Sequence, residues 1–500
     1  MDVYNQQLIA AVHPPDWTNP QPADRYDLVV IGAGTAGLVV AAGAAGLGLG
    51  LKVALIERHL MGGDCLNVGC VPSKTIIRSA RTIGELWQSQ ELGIKVDHFE
   101  IDFGKVMERL RRIRSQISHA DSAARFRELG VDVFLGDGRF ASGETVTVGD
   151  VVLKFKKAVI ATGTRAAIPA IPGLAAAGYL TNETVFSLVE RPQRLAVIGG
   201  GPIGCELAQT FGRLGCEVIL LHSGSQILSK EDPAAAEILQ QVLVTEGVKL
   251  ILDARVEQVV TTATGKSIAY TSRDRTDTII VDEILIGAGR TPNLEQLDLD
   301  RAGVAADDKG VQVNDYLQTT NPKIFAAGDV CLKWQFTHAA DAAARIVIKN
   351  ALFSPLGFGK SRVSSLVMPW VTYTDPEIAH VGWSDEDARQ AGVEFDAITI
   401  AMSNVDRAIT DSQTPGFVKI IHRRGSDEIL GATIVASHAG DLISELTTAM
   451  VNKIGLSKLS STIHPYPTQG DGIKKAADAY RKTLLTPRTQ KLLGILTKFS

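Results

Sequence analysis

The apolar and polar positions of this chain fall twice into the same alternation of apolar run, glycine turn, helix and second apolar run. In DLVVIGAGTAGLVVAAGAAGLGLGLKVALIER, residues 28–31 are apolar and mostly β-branched, the pattern of a strand buried on both faces. The turn Gly32-Ala33-Gly34-Thr35-Ala36-Gly37 follows, then a helix, then a strand ending at Glu57. Residues 28–51 carry no charge, enough length to span a bilayer, but seven glycines and a turn motif interrupt them. The pattern predicts strand, turn and helix there. RLAVIGGGPIGCELAQTFGRLGCEVILLH repeats the unit around Gly199-Gly200-Gly201-Pro202-Ile203-Gly204. Between the copies, residues 104–129 read as one helical run. Its basic segment RLRRIR (109–114) reads as a solvated face, since acidic residues lie nearby and no aromatic interleaves. KAVIATGT (157–164), DEILIGAGRTPN (282–293) and KIFAAGDV (323–330) are further strands running into glycine turns. Beyond Ser361 strands alternate with amphipathic helices, without a dinucleotide signature, which marks a separate domain.

The spacing of each glycine set has a physical reading. Gly32 allows the tight turn, Gly34 lets a pyrophosphate approach the backbone, and Gly37 lets helix and strand pack closely. The helix N-terminus then offers free N–H groups to phosphate. Glu57, 25 residues after Gly32, stands where a carboxylate accepts ribose hydroxyls. Two such units imply two dinucleotides. In the second, Gly199, Gly201 and Gly204 repeat the glycines, but His222 and Ser223 replace the acid. Without a carboxylate to repel a 2′-phosphate, the second site leans to NADPH, with NADH as the alternative.

Composition narrows the class. The chain has 500 residues, a net charge of −4, 45% hydrophobic and 21% charged residues, which suits a folded multidomain protein without a global pull toward nucleic acid or anionic membrane. The five cysteines are odd in number and too few for a disulfide scaffold, so a cytoplasmic setting is expected. Residues 1–24 read as a proline-containing arm, not a secretory signal. Two cysteines stand out in GGDCLNVGCVPSK (62–74): Cys65 and Cys70. No histidines or cysteines at ligand spacing accompany them, which argues against zinc. An inert pair leaves the flanking glycines unexplained. Positions i and i+5 of an ideal helix point about 140° apart, so a bond between them needs Cys65 ahead of the helix or a distorted first turn. A thiolate at a helix start has a lowered pKa. Cys205, Cys216 and Cys331 read as small core residues.

The ordered motifs GAGTAG, GGDCLNVGCVPSK, ATG, GGGPIG, GAGRTPN, AAGD and TDPEIAHVG (374–382) resemble the FAD-dependent pyridine nucleotide–disulfide oxidoreductases, over about residues 26–481. The resemblance implies an α/β fold. Two Rossmann-like dinucleotide-binding domains, the second inserted in the first, would precede a C-terminal α+β dimerisation domain. The expected division is an arm (1–24), an FAD domain (25–165 and 291–360), an NAD(P)H domain (166–290) and a dimerisation domain (361–500). Gly32, Gly34, Gly37 and Glu57 would bind the ADP half of FAD. Lys74, Thr162, Gly163 and Asp329 would line the flavin site. Gly199, Gly201, Gly204 and Gly289, with His222 and Ser223, would serve the nicotinamide dinucleotide. Cys65 and Cys70 would form the redox-active disulfide, with Cys70 the charge-transfer thiolate against the flavin and Cys65 the outer, interchange thiol. Lys74 would hold positive charge beside the flavin, paired with Glu206. Electrons would pass from NAD(P)H through FAD to the disulfide and on to a small-molecule or metal-ion acceptor, in a homodimer.

The acceptor turns on one loop. Disulfide-reducing members carry a histidine before a Pro-Thr near the C-terminus, held by a glutamate. In His464-Pro465-Tyr466-Pro467-Thr468-Gln469-Gly470-Asp471, alignment on Pro467-Thr468 puts Tyr466 at the histidine position and Asp471 near the glutamate position. A tyrosine, with pKa about 10, is a poor base near neutral pH. It is what mercuric reductases carry, and NVDRAITDSQTPGFVK (404–419) resembles that branch too. A soft metal ion binds thiolates directly and needs no proton shuttle. However, the chain ends KLLGILTKFS, without the vicinal cysteines of that branch, and the arm has no cysteine. The alternatives are a dihydrolipoamide or other disulfide reductase using His464, and a low-turnover flavin-binding redox sensor.

Overall fold

Six strands, β1 (Tyr26–Ile31), β2 (Val53–Glu57), β3 (Val131–Leu135), β4 (Gly138–Ser142), β5 (Thr145–Val148) and β6 (Val151–Ile160), build the first sheet in the computed structural model. They lie in the order β3-β2-β1-β6-β5-β4, and the later strand Ile324–Ala326 also pairs β6. β1 is parallel to β2 and β6, with Val29 opposite both Ala54 and Ala158. Every residue of β1 except Asp27 is buried, because helices cover one face and the β4–β5 hairpin and following chain the other. That double burial is why the run is continuously apolar. Described are residues 2–498 apart from 274, 355 and 356. The first residue of the arm and the last two of the KLLGILTKFS tail lie outside them.

Five helices shape the site: α1 (Val3–Val12), α2 (Thr35–Ala45), α3 (Gly63–Asn67), α4 (Cys70–Gln88) and α5 (Phe103–Ser118). The arm is thus partly helical. Asp2 caps α1, its Oδ1 accepting from the Tyr4 and Asn5 N–H groups at 3.0 Å. Leu8 and Val12, one turn apart, bury against Met61 and Leu66. The rest of the arm runs beside the edge strand β3. Trp17 Nε1–H donates to the Val133 carbonyl at 3.1 Å, and Asn19 exchanges two hydrogen bonds with the backbone of Leu135. An otherwise open sheet edge is closed by these contacts.

The run 104–129 is two α-helices joined by a 3-10 turn at His119–Asp121, since Ser122 caps a second one at Ala123–Glu128. Its basic segment is not a solvated face. Arg109 Nη1 donates to the Thr75 carbonyl, Arg111 pairs with Asp2 at 2.9 Å, and Arg114 is 8% exposed. Their partners lie far away in sequence, so spacing could not reveal them.

The second dinucleotide unit is a parallel sheet of Lys249–Ile251, Glu217–Leu221, Arg194–Ile198 and Glu283–Ile286, with a three-stranded antiparallel sheet against it. A five-stranded antiparallel sheet centred on the wholly buried strand Ile429–Ala436 forms the C-terminal part, backed by the helices Ala439–Val451 and Asp471–Thr483. No described helix is long and apolar enough to cross a membrane.

Candidate active site

The two glycine turns and the cysteine segment line one continuous cavity of about 3270 Å³. In the first turn Gly32 has φ +101°, and a Cβ on Gly37 would fall on the Gly32 carbonyl oxygen. Gly34 packs against the Cα of Gly63, so a side chain at Gly63 would close the phosphate cradle. The Ala33 N–H donates to Glu57 Oε2 at 2.7 Å and the His59 N–H to Glu57 Oε1 at 2.8 Å. Burial raises the Glu57 carboxyl pKa, and these two amides work against it. Each oxygen keeps lone-pair capacity for a ribose hydroxyl. Gly136 and Gly138 stand beside Glu57 along the cavity wall. Thr162 and Asn293 clasp each other's carbonyls at 2.8 and 2.9 Å, with Gly163 at φ +64° between the strand end and the cavity. Asp329, its carboxyl pKa raised by burial, accepts from Thr164 and faces the same space. A bare backbone at the turn, a carboxylate at the ribose position and an acid at the far end fit FAD.

The second turn repeats the arrangement, with one substitution. Gly199 has φ +118°, and a Cβ on Gly204 would meet the Gly199 carbonyl oxygen. Here the Gly200 N–H donates to His222 Nδ1 at 3.1 Å, the counterpart of the Ala33–Glu57 bond. Burial lowers the His222 pKa and so favours the neutral ring, and acceptance at Nδ1 leaves its proton on Nε2. Ser223 is exposed beside it, and Gly201 and Gly289 line the cavity.

The cysteines meet where α3 ends and α4 begins. Cys65 sits on α3 and Cys70 is the first residue of α4; both are free thiols here. The short separate helix is how the chain evades the i, i+5 divergence. The Cys65 S–H donates toward Cys70, whose sulfur also has Thr337 Oγ1 at 3.2 Å. The Cys65 bond, the Thr337 hydroxyl and the Lys74 charge outweigh burial and bring Cys70 down to about 6. The same bond, with burial, drives Cys65 far above the ordinary thiol range. Of the coupled pair, Cys70 is therefore the thiol that ionises more readily.

Lys74 extends from the same face of α4. Its Nζ lies 2.8 Å from Glu206 Oε2 and 4.4 Å from the centroid of the Tyr373 ring. Burial pulls the ammonium pKa down, but Glu206 more than offsets it. Glu206 is 5% exposed, and its other oxygen accepts from the Tyr373 N–H at 2.9 Å.

The C-terminal loop divides its candidates. Tyr466 is 73% exposed, with its O–H donating to Asp406 at 2.9 Å. His464 is turned inward, its Nε2 2.8 Å from Glu445 Oε1. Asp471 does not hold either ring; it pairs with Lys475 at 2.9 Å. The carboxylate on the loop histidine comes instead from the helix Ala439–Val451, 19 residues upstream.

Residues 26–344 match the family model described as pyridine nucleotide-disulphide oxidoreductase, and residues 368–477 match its dimerisation domain. The chain belongs to the pyridine nucleotide-disulphide oxidoreductase family. Mercuric reductase from Staphylococcus aureus is 34% identical over 487 residues, covering 95% of this chain and 88% of the relative. Dihydrolipoyl dehydrogenase from Chlamydia muridarum is 34% identical over 455 residues, covering 89% and 94%. Among solved structures, the Cu(II) complex of the HOCl-induced flavoprotein disulfide reductase RclA from Escherichia coli superposes with TM-score 0.81 at 27% identity, covering 91% of this chain and all of that one. LpdA from Mycobacterium tuberculosis does so with TM-score 0.81 at 28% identity, covering 91% and 99%. This oxidoreductase is accordingly an NAD(P)H-dependent FAD flavoprotein with a disulfide redox centre and a dimerisation domain. The motifs did not single out Thr337, Tyr373 or Glu445, because each reaches its partner across more than one element. Arg290 was also passed over. It sits in the quoted GAGRTPN motif and pairs with Asp64, next to Cys65.

Proposed function

We propose that this oxidoreductase passes electrons from NADPH, by way of FAD and the Cys65–Cys70 pair, to a soft metal ion such as Hg(II). When bound, FAD supplies the two-electron relay between nicotinamide and disulfide. Gly32, Gly34, Gly37 and Glu57 would hold its ADP half, and Thr162, Gly163 and Asp329 would line the rest. Lys74, fixed by Glu206, keeps positive charge beside the Cys70 thiolate. Cys65 keeps its proton more firmly than Cys70 and faces the acceptor. A thiophilic cation displaces that proton and is ligated by both sulfurs without a base to assist. The neutral His222, standing where the first unit has Glu57, favours a 2′-phosphate over a free hydroxyl by removing a repelling carboxylate.

One observation carries the choice of acceptor: the loop presents Tyr466 and ties His464 down against Glu445. The similarity to mercuric reductases supports it, as does the Cu(II) complex of the structural relative. A second reading, a disulfide reductase, draws on that same His464–Glu445 pair, which is a histidine–carboxylate arrangement suited to moving a proton. An acceptor panel separates them: NADPH or NADH with Hg(II) plus excess thiol, Cu(II), lipoamide, glutathione disulfide or a quinone. Hg(II)-dependent turnover lost in Cys65→Ser is expected. Efficient lipoamide reduction abolished by His464→Ala overturns the metal-ion reading.

A further inference from the structure

The N-terminal helix touches the redox segment at three levels. Its C-terminal end meets the strand-to-α3 turn, where the Met61 N–H donates to the Val12 carbonyl at 3.2 Å. Its apolar side, Leu8 and Val12, packs with Met61 and Leu66 inside one core cluster. Its polar side reaches α3 through a buried arginine. Arg114 Nη2 donates to Asn5 Oδ1 at 2.7 Å, and Nη1 of the same guanidinium donates to the backbone carbonyl of Asn67 at 2.7 Å. Asn67 ends α3, two residues after Cys65 and three before Cys70. Its own side chain donates back to the Met61 and Gly63 carbonyls at 3.0 and 2.9 Å. Among the described residues, Arg114 has no carboxylate in ion-pair contact, and Asn5 Oδ1 is the only side-chain acceptor on it. A buried guanidinium is costly unless its donors are engaged. Asn5 therefore decides whether Arg114 stays aimed at Asn67. A second arm contact, Gln7 to Ser115 at 3.1 Å, fixes α1 on α5 in that register.

We infer that the arm is a positioning brace for the redox pair: α1, through Asn5 and Arg114, pins the end of α3 and so sets where Cys65 stands relative to Cys70. A short helix of five residues cannot hold itself in place, because isolated helices of that length are unstable in water. α3 takes its position from Arg290 at Asp64, from Arg114 at its C-terminal carbonyl and from α1 at the Met61 turn that leads into it. With the brace in place, closing the disulfide requires little further ordering. Without it, α3 must be ordered each time the bond forms, so the disulfide is disfavoured relative to the dithiol.

This inference rests on Cys65 and Cys70 being the redox pair, and the test keeps the two apart. Holoenzyme is equilibrated in mixtures of dithiothreitol and its cyclic disulfide. Two electrons and two protons move from the Cys65 and Cys70 thiols to the reagent disulfide, which opens to dithiothreitol. The two forms are then acid-quenched, alkylated and counted by mass spectrometry on the peptide holding both residues. Asn5→Ala is expected to lower the equilibrium constant for closing the bond about tenfold, a midpoint roughly 30 mV more positive. Asn5→Asp, which restores an acceptor for Arg114, is expected to return it to within about threefold of wild type. Arg111→Ala, which loses only the Asp2 pair, is expected to leave the constant at the wild-type value. A lower thermal midpoint in Asn5→Ala with an unchanged equilibrium constant overturns the brace, since the arm would then serve stability alone. If Asn5→Ala does not fold, Asn5→Ser, with a shorter reach to Arg114, is read the same way. A wild-type protein that never joins Cys65 to Cys70 refutes the redox pair itself, and the brace with it.

Discussion

Replacing Lys74 by Met should raise the pH at which Cys70 gives up its proton. Residues i and i+4 of a helix have Cβ atoms about 5–6 Å apart, and Cys70 and Lys74 stand in that relation on α4. At about 6 Å and an effective dielectric of about 20, unit charges interact by roughly 332/(20 × 6), or about 2.8 kcal/mol. At 1.36 kcal/mol per unit this is about two units of thiol pKa. The Lys74 side chain is 36% exposed on its cavity side, so screening trims the effect toward about one unit. Cys70, now ionised above about 6, should shift toward about 7 to 8 in Lys74→Met. Glu206 pushes the other way, because its negative charge opposes the thiolate. The double variant Lys74→Met, Glu206→Gln should therefore fall between the single variant and wild type. The assay is the rate of iodoacetamide capture at Cys70 in pre-reduced protein, from about pH 5 to 10, followed at the peptide level. A midpoint in Lys74→Met that coincides with wild type would refute the electrostatic account. The helix start and the Cys65 bond would then set the thiolate alone.

Gly37→Ala should yield protein without flavin absorbance, because the added Cβ meets the Gly32 carbonyl, while Gly204→Ala should keep the flavin and lose NAD(P)H reduction. A fully yellow Gly37→Ala protein would contradict this. His222→Glu should move the kcat/KM ratio toward NADH by at least about tenfold, roughly 1.4 kcal/mol, measured with both nucleotides on one acceptor; an unchanged ratio would remove the role given to His222. The reduced enzyme should gain stability with rising pH from about 6 to about 9, since the unfolded chain there binds a Cys70 proton that the folded one lacks. That contribution vanishes as the pH falls through about 6. Denaturant titrations should show this slope in the dithiol form and not in the disulfide form. Arg213→Met should cost about 3 kcal/mol or more, because it strands Glu246 and Asp375 around a site where the guanidinium is 3% exposed. A thermal midpoint equal to wild type would show those acids to be solvated.

The dinucleotide units were legible because their requirements are local. A positive φ at Gly32 and Gly199, and a missing Cβ at Gly37 and Gly204, are demands on single residues that sequence spacing records. The distortion at Cys65 and Cys70 was legible for the same reason, since five positions along a helix diverge. The Lys74–Glu206 pair joins residues 132 apart, and only the resemblance suggested it. Other features were hidden because their partners come from afar. RLRRIR has the composition of a wet helix face. α1, packed on α5, together with the end of α3 makes Arg111 and Arg114 internal. The arm's helix spreads its apolar residues around the axis and has no acid beyond its cap, so periodicity gave it little weight. On the C-terminal loop, alignment pointed to Asp471, whereas the carboxylate that reaches His464 is on a different helix.

The helix Pro202–Arg213 bears on motion as well as on binding. It begins at the second glycine turn and bonds to Lys74 through Glu206. It ends locked to the C-terminal sheet's approach, where Gln209 exchanges two hydrogen bonds with the Asp375 backbone and Arg213 reaches the Asp375 carboxylate at 2.8 Å. One rod is thus riveted to three parts of the chain. The nicotinamide half cannot swing about it without breaking ion pairs at both ends. Any rotation of that half during turnover must break and remake the Lys74–Glu206 and Arg213–Asp375 pairs. A disturbance at Asp375, remote in sequence from every glycine turn, should reach Lys74 along the rod as a shift of Glu206.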